Sequence, residues 1–118
     1  MTTAEAAKVT GATERELQLW DEAELIGIIE REPGVCGYTK RVWSATNLRM
    51  AHIVKCLKDG GLHPDPADMR VISHNLLSHR WIMFDDRRRM VAASNNRREI
   101  LKAGAACAGP VVLVEMPL

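Results

Sequence analysis

Apolar positions along the chain change period several times, and each change predicts an element. Ala4, Ala7 and Val9 sit at near-helical spacing between Thr3 and Gly11. Thr3 can cap orphan N–H groups, and Gly11 can take the left-handed turn that ends a short helix. Thr13-Glu-Arg-Glu16 then forms a capping box, in which hydroxyl and carboxylate satisfy each other's backbone donors. Leu17, Trp20 and Ala23 or Glu24 follow at helical spacing and predict a second helix over about 14–23. Two short helices about a tight glycine-containing turn make a helix-turn-helix. Leu25-Ile-Gly-Ile-Ile-Glu-Arg31 is short and β-branched and predicts a strand. Pro33-Gly34 and Gly37 break it, and Tyr38-Thr-Lys-Arg-Val-Trp43 alternates as a second strand. Together they predict a hairpin wing carrying Lys40 and Arg41.

Ser44 caps a well-patterned helix over about 45–58, with Leu48, Ala51, Ile53, Val54 and Leu57 inward, and Gly60-Gly61 stops it. After His63-Pro-Asp-Pro66 the pattern predicts a helix from Ala67 to Leu77, placing Met69, Val71, Ile72 and Leu76 inside. Trp81–Phe84, Asp85–Arg89 and Met90–Ala93 read as strand, polar turn and strand. Asn95-Asn96 can cap a helix over Glu99–Ala106. Val111–Val114 is a continuous apolar run, expected of a strand covered on both faces or paired in a dimer. This last ββαβ stretch is too small to fold alone and must lie against the front part or another subunit. The expected fold class is α+β: a winged helix-turn-helix over 1–77 with a small C-terminal ββαβ extension over 78–118.

Length and composition set outer bounds. The 118 residues, 47% apolar and 26% charged, are ordinary globular material. They exclude a disordered charged arm. No apolar run approaches the roughly 20 residues that span a bilayer, and the first residues lack a secretory profile. A cytoplasmic protein is expected. The net charge of +1 conceals segregation. Residues 1–32 hold three basic and eight acidic side chains, a net −5. Residues 33–62 hold five basic side chains against Asp59 alone, a net +4. A basic central segment bears on polyanion binding more than the total does.

Candidate chemistry is thin elsewhere. Cys36, Cys56 and Cys107 form no C-x-x-C pair and do not join His52, His63, His74 or His79 at metal-ligand spacing, so free thiols and no metal or cofactor are expected. No G-x-S-x-G, H-E-x-x-H or phosphate-cradling glycine loop is present, and no catalytic residue is assigned. Asp85-Asp86 suits a turn better than a carboxylate dyad. Arg87-Arg88-Arg89 reads as that turn, partly neutralised by the two aspartates, ahead of a nucleic-acid patch.

The run from Thr3 to Leu25, the segment Gly37-Tyr-Thr-Lys-Arg-Val-Trp-Ser44, Leu48 and then Leu57-Lys-Asp-Gly-Gly61-Leu62 resemble, in order and spacing, the MerR family of bacterial transcription regulators. The resemblance covers roughly residues 3–77. It implies a winged-helix domain acting as a homodimer on a palindromic operator in double-stranded DNA. Gln18 stands where members usually show an arginine, and Glu24-Leu25 where Gly-Leu normally closes the second helix. The long dimerisation helix and effector domain of most members have no counterpart here, so the C-terminal strands are expected to make the dimer contact.

A helix in the major groove reads base edges while cations on flanking elements hold phosphates. The second helix offers Thr13, Arg15 and Gln18, the wing Thr39, Lys40 and Arg41, and the next helix Arg49. Arg15 can equally form a surface ion pair, and Trp20 and Trp43 are expected in the core. Glu14, Glu16, Asp21, Glu22 and Glu24 must point away from phosphates, or the domain binds DNA weakly. The alternatives are an antitoxin-like protein whose C-terminal part binds a protein partner, and a DNA-bending accessory factor of a mobile element.

Overall fold

The computed structural model describes residues 1–73, 79–107 and 109–116. Among them the chain is a mixed α+β fold of five helices and two small antiparallel sheets. Helices α1 (Thr3–Thr10) and α2 (Glu14–Glu22) are joined by a three-residue turn. The hairpin β1 (Glu30–Pro33) and β2 (Thr39–Val42) follows, with a 3₁₀ turn, Val35–Gly37, at its tip. Helix α3 (Ala45–Asp59) and helix α4 (Pro66–Ser73) lead into β3 (Trp81–Asp85), β4 (Met90–Ser94), α5 (Arg97–Ala105) and β5 (Val111–Glu115).

Local chemistry sets the helix ends. The Thr13–Glu16 box caps α2 as expected, with the Glu16 amide donating to Thr13 Oγ1 at 3.0 Å and the Thr13 amide to Glu16 Oε1 at 3.0 Å. For α1 the cap is Thr2, boxed with Glu5, rather than Thr3. Thr3 Oγ1 accepts instead from the indole N–H of Trp43 at 3.1 Å. Helices α2 and α3 close alike. The amide of Leu25 donates to the Trp20 carbonyl at 2.9 Å, and that of Leu62 to the Leu57 carbonyl at 2.8 Å. Each closure needs a left-handed residue. At the end of α3 this is Gly61 (φ 83°); at the end of α2 it is Glu24 (φ 61°).

Only the end of the run Leu25–Arg31, Glu30 and Arg31, is a strand; Leu25–Ile29 is not. Leu25 and Ile26 are buried corner residues, Gly27 turns left-handed (φ 79°), and Ile28 is 94% exposed. A pleated strand cannot bury two neighbours on one side, so pairing begins only at Glu30. Buried Asn47 holds this corner, its amide donating to the carbonyls of Ile26 at 2.9 Å and Ile28 at 3.1 Å. In α1 the buried residues are Ala6 and Thr10, while Ala4 and Val9 face solvent. In α4 Met69 and Ile72 are buried as expected, but Val71 is exposed. The expected continuation through Leu76 and Leu77, and His74, lie outside the described residues.

The C-terminal sheet has the order β4-β3-β5. Ile82 and Phe84 face α3 with their cross-strand partners Val114 and Val112. Met83, one residue out of phase, lies beneath α5, where a Cβ on Gly104 would come within 2.7 Å of Met83 Cε. The sheet is therefore covered by helices on both sides. One apolar core runs from Ala6 through Leu17, Trp43, Ile53 and Leu57 to Ile82, Phe84, Val114 and Met116. The ββαβ stretch thus meets its need for a partner on the front part of the same chain. His52 of α3 adds a 2.8 Å contact from Nε2 to the Glu115 carbonyl. No helix among the described residues is long and apolar enough to cross a membrane.

Candidate nucleic-acid interface

The residues singled out for DNA contact fall into three groups. Thr13 is exposed, but its hydroxyl is committed to capping α2. Arg15, two residues on, is exposed and makes no ion pair among the described residues. Gln18 is half-buried where α2 meets the hairpin. Gln18, Thr39, Lys40 and Arg41 line one open groove of about 550 Å³ between α2, the start of α1 and β2. Arg49 is half-buried on the second turn of α3, does not line this groove and makes no ion pair among the described residues.

Arg41 departs from expectation. Its Nε donates to Asp21 Oδ2 at 2.7 Å, and the Arg31 Nη2 donates to the same oxygen at 2.9 Å. Arg41 thus ties the hairpin to α2, and an Arg–carboxylate pair this close is directional as well as charged. Arg31 is not among the residues that the sequence pattern points to. Its ten-residue separation from Asp21 follows no local pattern that sequence reading tests for.

The acidic residues of α2 also divide. Glu16 serves as a cap and Asp21 as the arginine acceptor. Glu14 does not point away: with Glu5 and Glu32 it lines the same groove as Lys40. Lys40 and Glu32 are cross-strand partners. The hairpin is consequently less basic than the net charge of residues 33–62 implies, because β1 returns Glu30 and Glu32 to it.

The other sequence features have structural roles. Trp20 and Trp43 are buried. In the β3–β4 turn, Asp85 Oδ1 accepts the amides of Arg87 at 2.8 Å and Arg89 at 3.0 Å. Arg88 is held by Asp68 of α4 at 2.6 Å, not by Asp86. Burial works against the Asp68 charge, but the Asp65 amide and the Arg88 guanidinium outweigh it and hold the carboxyl below its ordinary pKa. All three cysteines are free, with Cys36 exposed and the others half-buried. Burial pushes the Cys56 thiol up, which makes it a poor nucleophile. No family model, curated protein or solved structure matches the chain.

Proposed function

We propose that this chain is a DNA-binding regulator of the winged-helix, MerR-like type. Helix α2 enters the major groove and the β1–β2 hairpin lies along the flanking backbone. The observation that carries the reading is the meeting of Gln18 on α2 with Thr39 and Lys40 on β2 along one open face. A base-reading side chain and a phosphate-holding cation must be adjacent for one domain to do both. Arg15 extends the reading face and Arg49 supplies a further cation.

Glu5, Glu14 and Glu32 on the same groove weaken the contact of a single copy with phosphates. Useful affinity therefore calls for two copies on a palindromic site, where the second contact becomes intramolecular. Retention of the full chain on mixed-sequence duplexes at low salt tests the reading. The expected result is binding that weakens steeply as salt rises; no binding at the lowest salt sinks it. The three carboxylates favour one competing reading, an antitoxin-like role in which a basic protein segment occupies this groove. Co-purification of such a partner, without DNA retention, decides for it.

A further inference from the structure

Arg31 and Arg41 are direct cross-strand partners on the hairpin. Like charges in that position repel and loosen a two-stranded ribbon. Asp21 offsets the repulsion, with one carboxylate oxygen accepting from both guanidinium groups, at 2.9 and 2.7 Å. Strand alternation sends Glu30 and Glu32 to the opposite face, beside Val42 and Lys40. Two cations thus share one anion, which leaves an unbalanced positive charge at this point.

The two arms differ in access. The side chain of Arg41 is 17% exposed and that of Asp21 11%, whereas Arg31 is 45% exposed. Arg31 uses one Nη2 donor on Asp21, and a guanidinium has five N–H donors in a planar fork that suits phosphate. The half-exposed Arg31 arm is therefore the weaker and more readily exchanged of the two.

We infer that Arg31 is a phosphodiester-binding residue held in reserve by Asp21, and that Arg41 is the fixed rivet. A backbone phosphate of the duplex takes Arg31 over, while Arg41 keeps Asp21 and the hairpin stays docked on α2. The inference rests on the DNA-binding reading above and adds a contact to it. It also transfers to Arg31 the role that the sequence assigned to Arg41.

The test is the salt dependence of binding of the full chain to a mixed-sequence duplex, read by fluorescence anisotropy. Each phosphate contact contributes about 0.9 to the slope of log K against log salt. Arg31→Gln is expected to lower the slope by about that amount per bound copy with the thermal transition unchanged, and Arg31→Lys to restore it. Arg41→Gln is expected to lower the thermal transition instead, since it removes the less exposed of the hairpin's two ties to α2. If the wild type binds and Arg31→Gln keeps its slope, the inference fails and the DNA-binding reading stands. If the wild type shows no salt-dependent binding, both fail.

Discussion

The side-chain amide of Asn47 donates to the carbonyl of Ile26 at 2.9 Å, and this contact fixes the corner from which the hairpin leaves the helices. The same nitrogen reaches the Ile28 carbonyl, while Asn47 Oδ1 accepts from the Ser44 amide at 3.1 Å and hydroxyl at 2.7 Å. One buried side chain thus caps α3 and aims the hairpin. Asn47→Ala strands two carbonyls and removes half a capping box, so denaturant unfolding should show a loss of about 2–4 kcal/mol. Asn47→Asp keeps the cap but turns an acceptor toward the two carbonyls. It should be no better tolerated than alanine.

Glu24 occupies the left-handed position that closes α2, where Gly61 serves α3. A side chain there costs about 1–2 kcal/mol, part of which glycine returns to the unfolded chain as entropy. Glu24→Gly should therefore raise stability by about 0.5–1 kcal/mol, measured as an upward shift of the thermal midpoint. Glu24→Val should lower it.

The two close glycine contacts should respond differently. A Cβ on Gly60 would lie 2.6 Å from Val112 Cγ2, a short β-branched side chain fixed on β5. A Cβ on Gly104 would meet Met83 Cε at 2.7 Å, the far end of a flexible chain. Gly60→Ala should cost about 1–3 kcal/mol by forcing α3 and β5 apart. Gly104→Ala should cost clearly less, and denaturant midpoints of the two variants check the order.

Asp68 couples α4 to the β3–β4 turn through Arg88. Burial opposes its charge, but the Asp65 amide and Arg88 hold its pKa down. A carboxylate so held stabilises the fold above its unfolded pKa of about 3.9 and loses that contribution as pH falls through the lower folded value. Asp68→Asn should be less stable than the wild type at neutral pH. The gap should narrow as the medium is acidified below about pH 4, as equilibrium unfolding at a series of pH values can show.

Much of the fold was legible because its signals are local. Thr13 with Glu16, Ser44 before α3, Gly60-Gly61 after it and Asn96 before α5 each act within a few residues. The apolar runs at Trp81–Phe84 and Val111–Val114 likewise gave their strands in place. Leu25–Ile29 misled because a β-branched run can equally bury a corner, and only the distant Asn47 shows which it does. The candidate site was legible as a set of residue types but not as an arrangement. Asp21 with Arg31 and Arg41, Lys40 opposite Glu32, and Asp68 with Arg88 are all pairings between different elements. A charge count along the chain cannot show which cations are already matched.

Titration of the isotopically labelled chain with a mixed-sequence duplex, followed by amide shifts, tests the central claim most directly. The account predicts shifts concentrated at Thr13–Gln18 and at Thr39–Arg41, with α5 and β4 unmoved. Shifts confined to β4, β5 and α5, or none at low salt, would contradict it.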